Sequence, residues 1–287
     1  MSTMPIEEND FWDFLSEDEA NFMREIISDM KSVSWAQPIL ARLSGDGNHL
    51  SKTDKDFLFE LRFAYALYQA GIEPSYEVAG EGQSKIDFEF TFANQRWLVE
   101  LMRLGETNAA KSATSSWTDE DGCRWASRML DNQPPDPKSE EGETLKAVQR
   151  ICQKLERDGC PNKFTIPKDA MHVLLVDFRT FLTKGGDLFD QINVAFGSEY
   201  VDQQYKRFWG GTPISGVLNQ RTTVCGAPEA RDRLHFIGFV TEKGYQSGGL
   251  GQATRFFANP HLLDCKDAHA AIKKWPLSYT NLMTAQV

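Results

Sequence analysis

Residues 85–104 read KIDFEFTFANQRWLVELMRL, and this stretch decides the fold. Alternation places Ile86, Phe88, Phe90 and Phe92 on one face of a strand and Lys85, Asp87, Glu89 and Thr91 on the other. A short turn at Ala93-Asn94-Gln95 leads to a second strand, with Trp97, Val99 and Leu101 on one face and Arg96, Leu98, Glu100 and Met102 opposite. Asp87 and Glu100 are therefore expected to meet across a hairpin. Two converging carboxylates suit a hard cation. Two residues after Glu100, however, stands Met102, whose thioether is a weak acceptor and carries no proton to give.

The rest of the chain frames that hairpin. At 287 residues it is long enough for one elaborated domain or two small ones, and an apolar share of 41% is that of a globular protein. The formal net charge of -10 argues against a general nucleic-acid coat, whose affinity comes from phosphate neutralisation by Lys and Arg. The charge is uneven. Residues 1–30 hold nine carboxylates against Arg24, giving 1 − 9 = -8, so the body carries only -10 − (-8) = -2. Five scattered cysteines without a C-x-x-C pair read as reduced thiols of a cytoplasmic protein. The sequence shows neither a secretory leader pattern nor an apolar run of membrane-spanning length, so no membrane partner is expected.

Element signals continue on both sides. Ser16 and Glu19 form a capping box before a helix striped by Phe22, Ile26, Ile27 and Met30. A short helix interrupted by Pro38 follows, and then a loop. The strongest helical segment is DKDFLFELRFAYALYQAG, with Thr53 as its N-cap and Gly71 as its C-cap. Strands are predicted near 75–79, 85–92 and 96–102. Residues 105–142 read as an insertion with a short helix near Gly122–Leu130. The next helix has Leu145, Val148, Cys152 and Leu155 inward. MHVLLVDF is a central strand covered on both faces, ISGVLNQ and RLHFIGFVT are two more strands, KGYQSGGLGQ is a loop, and a helix lies near residues 260–275. The expected fold class is α/β, a mixed sheet flanked by helices, with a helical extension over 1–50 and the α/β domain over 51–287.

With the elements in this order, Glu60 in a helix, Asp87 in the second strand of a meander and Glu100 in the third resemble the restriction-endonuclease-like, or PD-(D/E)XK, nuclease superfamily. The resemblance covers residues 53–104 and extends to 143–180. It implies Asp87 and Glu100 as ligands of Mg2+ or Mn2+, Glu60 as an auxiliary ligand, and a lysine at position 102 to orient or activate the attacking water. Met102 departs from that pattern. Lys85, on the Asp87 face, and Lys154 or Lys146, from the later helix, are the candidates to take the lysine's role.

The resemblance thus implies a metal-dependent nuclease acting on DNA or RNA. The same residues also admit an inactive nuclease-like scaffold that binds nucleic acid or protein. The acidic N-terminal segment is a candidate docking element for a protein partner. Simple ion pairing stands beside the metal roles of Glu60, with Arg62, Arg96 or Arg103, and of Glu100, in a buried pair, and a solvent-facing edge-strand position stands beside that of Asp87. The five histidines lack zinc-ligand spacing. Trp117, Trp125 and Trp209, near basic residues, suit either base stacking or core packing.

Overall fold

The computed structural model describes residues 15–43, 55–105, 114–120, 123–128, 140–179, 186–200, 214–242 and 244–285. Its centre is the predicted hairpin. β2 (Lys85–Phe92) and β3 (Gln95–Arg103) pair antiparallel with Phe92 opposite Gln95, and Ala93 and Asn94 both take positive φ to close a two-residue turn that follows the sheet's twist. β1 (Ser75–Ala79) pairs antiparallel with β2. Beyond β3 lie β4 (Ala170–Asp177), β5 (Phe236–Val240), β6 (Thr254–Ala258) and β7 (Asn281–Thr284), so the seven strands sit side by side in chain order. β3, β4 and β5 are mutually parallel, β6 runs against β5, and β7 is parallel to β6. The fold is α/β, with a mixed central sheet flanked by helices.

Two apolar layers cover the sheet. On one face α1 (Glu17–Met30), α2 (Gln37–Leu43), α3 (Lys55–Gln69) and α8 (Cys265–Ile272) pack on Phe88, Phe90, Trp97, Val99, Phe236 and Phe256. On the other, α4 (Glu140–Leu155), α5 (Leu188–Ala195) and α6 (Ala227–Arg233) pack on Leu98, Leu174, Val176, Ile237 and Phe257. The crossovers through α4 and through α5–α6 share the second face. β6 runs in the opposite sense, so the same hand of connection puts α8 on the first face.

Local signals account for most boundaries. The Ser16–Glu19 capping box forms, with Ser16 N donating to Glu19 Oε2 at 2.8 Å and Glu19 N to Ser16 Oγ at 3.3 Å. Gly71, at φ +72, ends α3 while Ile72 N donates back to Leu67 O at 2.9 Å. Pro38 does not interrupt α2; it occupies the first turn, where its missing N–H has no intrahelical partner to lose. The extension is not a separate layer either, because Met23, Ile26, Met30 and Ile39 belong to the first core.

Other expectations are corrected. The segment near Gly122–Leu130 is not helical: Arg124–Arg128 pairs antiparallel with Thr114–Thr118 in a hairpin outside the main sheet, Trp117 opposite Trp125. ISGVLNQ supplies only a single bridge, Ser215 to Gly197. Leu145 is 45% exposed rather than inward, although Val148, Cys152 and Leu155 are buried. α7 (Gly249–Gln252) breaks the glycine-rich loop, and β6 and β7 carry no signal strong enough to be read from the sequence. Thr53, Trp209 and the carboxylates before residue 15 lie outside the described residues, as do the Trp125 side chain and most of 105–139.

Candidate functional site

The site forms where β2 leaves its alternation. Phe88 and Phe90 point into the first core, but Ile86 points into the second, so the expected single face of Ile86, Phe88, Phe90 and Phe92 is split at Asp87, and Phe92 is left 39% exposed. β1 slips with it: Tyr76 packs on the first core and Val78 on the second, and Glu77 between them takes φ +53. A non-glycine residue in that conformation is strained and marks a position held by its surroundings. The two strands remain in register across the slip, Tyr76 opposite Phe88 and Val78 opposite Ile86.

At this slip the β2–β3 ladder ends, and side chains replace main-chain partners. Past the Phe88–Val99 pair, Asp87 N donates to Glu100 Oε2 at 3.3 Å and Leu101 N donates to Asp87 Oδ2 at 2.7 Å. The two carboxylates expected to meet are thereby brought together. Glu100 is completely buried on the α4 side of the sheet, and Asp87 keeps a partly exposed edge.

Two ammonium groups reach Glu100 at the same oxygen. Lys154 Nζ, from the last turn of α4, lies 2.7 Å from Oε1, and Lys163 Nζ, from the following loop, lies 2.8 Å away. Both are ion-pair distances, so Oε1 is held between two ammonium groups. Met102 meanwhile packs against the second core. Lys85 is placed elsewhere: its ammonium lies 2.6 Å from Glu77 Oε2. Lys146 pairs with Glu143 at 3.0 Å.

Glu60 approaches from α3, on the other side of the break. Its Oε2 accepts from the Tyr76 hydroxyl at 2.5 Å and lies 3.4 Å from Arg42 Nη1, which also contacts the Tyr76 hydroxyl and pairs with Glu77 at 3.0 Å. None of the three arginines considered from the sequence is its partner: Arg62 pairs with Glu242, Arg96 with Glu89 and Asp169, and Arg103 with Asp56.

The electrostatics follow from this crowding. Burial pushes the Asp87 carboxyl well above the usual range, and the neighbouring Glu100 and Glu60 charges push it further, against the pull of the Leu101 N–H. Burial likewise raises Glu60, opposed by the Tyr76 hydroxyl and Arg42. For Lys154 burial works to lower the pKa, but the Glu100 carboxylate outweighs it and the net shift is upward. Four carboxylates (Glu60, Glu77, Asp87, Glu100) thus face four cations (Arg42, Lys85, Lys154, Lys163), a formal balance of 4 − 4 = 0.

A hard cation can be tested against this donor set. Among the described residues, no three or more His, Cys, Asp or Glu side chains converge as a metal-holding group. Asp87 and Glu100 nevertheless offer two adjacent carboxylates, and Mg2+ is commonly held by one or two carboxylates plus waters and substrate phosphate. The pair fits such an ion. Glu60, tied to Tyr76 and Arg42, fits as a charge behind it.

Arg42, Tyr76, Glu77 and Lys163 are not singled out by the sequence, and Lys163 has the least signal of the four. It sits in GCPNKF between a helix end and a strand, with no periodicity to orient it. Comparison with protein-family models, with curated proteins and with solved structures found no match.

Proposed function

We propose that this chain is a metal-dependent nuclease whose active centre is the break between β2 and β3. The observation that carries this reading is the convergence of Asp87, Glu100 and Lys154: two carboxylates that exchange hydrogen bonds with each other's strands, and an ammonium 2.7 Å from the buried one. In the restriction-endonuclease-like arrangement it resembles, such a triad hydrolyses phosphodiesters, and Lys154 supplies the charge absent at Met102.

Each residue's contribution follows from its surroundings. Asp87 and Glu100 would hold the cation, which when bound polarises the phosphate and lowers the pKa of a coordinated water. Lys154, raised in pKa and therefore charged at neutral pH, orients the attacking water and offsets charge on the phosphate. Water oxygen bonds to phosphorus and gives up a proton to solvent, the bridging P–O bond breaks, and the departing oxygen takes up a proton from solvent. Glu60 keeps the negative potential of the site high from behind, with Tyr76 and Arg42 fixing it.

The test is cleavage of mixed single- and double-stranded DNA and RNA with Mg2+ or Mn2+, by wild type and by Glu100→Ala. The expected result is metal-dependent cutting that disappears in the variant. No cutting by the folded wild type with either metal would contradict the reading and favour a scaffold that binds without cleaving.

A further inference from the structure

Lys163 is the least comfortable residue near the site. Its φ is +70, and Phe164 N donates to Asn162 O at 3.0 Å across it, which together describe the rare, strained form of γ-turn. A lysine gains nothing from that conformation, which glycine adopts at no steric cost. Strain of this kind persists only where the surroundings enforce it.

The enforcing contacts are a staple between two segments distant in sequence. Glu81 N donates to Lys163 O at 2.8 Å, and Lys163 N donates to Ser84 Oγ at 2.9 Å, so the β1–β2 turn grips the residue by both main-chain groups. Gly80 makes the grip possible, since a Cβ there would lie 2.4 Å from Lys163 O. Arg233 closes the staple, with Nη1 3.2 Å from Glu81 Oε2 and 2.8 Å from Phe164 O. Phe164 is itself buried and stacked on His172, with ring centroids 4.9 Å apart. The result is an ammonium fixed at two points, 2.7 Å from Lys85 O and 2.8 Å from Glu100 Oε1.

We infer that Lys163 is a positioning residue of the proposed active centre: the staple holds its ammonium on Glu100 Oε1, fixing that carboxylate and sharing it with the bound cation. The inference rests on the nuclease reading for its catalytic consequence, but not for its effect on cation binding. A cation so close to a ligand weakens the ligand's hold on a metal ion. Lys163 therefore trades metal affinity for a defined Glu100 geometry.

The experiment compares wild type with Lys163→Gly, Lys163→Asn and Gly80→Ala, reading melting temperature, Mn2+ affinity by calorimetry and steady-state cleavage. Gly and Asn both tolerate the left-handed backbone and remove the ammonium. Expected for both is a melting temperature equal to or above wild type, Mn2+ binding tighter by at least about threefold, and kcat lower by about 10–100-fold with KM little changed. Gly80→Ala, which displaces the staple and so shifts the ammonium from Glu100 without removing it, should lower kcat in the same range. A merely structural lysine would give weaker binding and a lower melting temperature together, and that pattern overturns the inference; so does cleavage within about threefold of wild type. If wild type does not cleave, the nuclease reading fails and Mn2+ alone decides Lys163: tighter binding in the Gly and Asn variants upholds its hold on Glu100, and unchanged, weaker or undetectable binding overturns it.

Discussion

Two buried charge clusters can be set against each other. The first, at the break between β2 and β3, places Lys154 and Lys163 on Glu100 beside Asp87. The second joins α1 to the ends of β4 and β5: buried Arg62 contacts buried Glu242, Arg179 contacts Glu19, and both guanidinium groups lie over the Tyr245 ring, 3.8 and 4.5 Å from its centroid. Glu19 also accepts from Tyr245 N at 3.1 Å, and Asp177 from Arg179 N at 3.0 Å. Here the cations are arginines, permanently charged and stacked on an aromatic face, and they fasten α1, α3 and the ends of β4 and β5 together. In the first cluster the two cations on Glu100 are lysines, one carboxylate keeps a partly exposed edge, and the backbone is strained at Glu77 and Lys163. The contrast separates a charge cluster that serves as a fastening from the one for which we propose chemistry.

The largest expected effects break the comparison from each side. Glu100→Gln should reduce metal-dependent cleavage by more than about 100-fold while the chain stays folded. Arg62→Met strands Glu242 without its cation, and it should lower the unfolding free energy by about 3–5 kcal/mol in urea titrations while leaving metal-dependent cutting intact in the folded fraction. If the two variants exchanged these effects, the assignment of fastening and chemistry would be reversed.

Next in size is a pH effect at Asp87. The folded pKa of Asp87 is raised, so the folded state binds more protons than the unfolded state between the ordinary carboxyl range and the raised value. Stability therefore falls as pH rises through that window. Asp87→Asn keeps an acceptor for Leu101 N, so it should be more stable than wild type at neutral pH, with the gain vanishing in acid, and it should be inactive. A melting temperature that drops in the variant at pH 7 would contradict the account of Asp87 as a strained, functional carboxyl.

A control lies between β4 and β5, where His172 and His235 are held neutral. Burial brings both down to about 4, His235 Nδ1 accepting from His172 N at 3.0 Å. Because the unfolded state takes up protons first, stability should fall as pH drops from about 6.5 to about 4. His235→Asn should flatten that part of a denaturant-midpoint profile. The smallest expected effect belongs to Lys85→Met, which removes an exposed pair with Glu77 and should cost less than about 1 kcal/mol, with cleavage changed little.

The sequence made the hairpin legible because its cues are local: alternation on both strands and a two-residue turn between them. The same alternation brought Asp87 and Glu100 together, and element order pointed to Glu60. It could not reveal the slip that sends Ile86 to the opposite core from Phe88, because uninterrupted alternation is what the residues show. That slip depends on Glu77 in the neighbouring strand. Lys154 lay on a readable helix, but Lys163 is delivered by contacts between residues 80–84 and 162–164, and such pairing leaves no periodic trace. The second cluster was equally hidden, since Glu19, Arg62, Asp177 and Glu242 come from four separate elements or loops.

The most direct test of the central claim is a time course of cleavage of end-labelled DNA and RNA in Mg2+ and Mn2+, run side by side on wild type, Glu100→Gln and the folded fraction of Arg62→Met. The account predicts cutting by wild type and Arg62→Met that stops on chelation, and none by Glu100→Gln. Wild type inactive under every condition, or Glu100→Gln cutting at the wild-type rate, would contradict it.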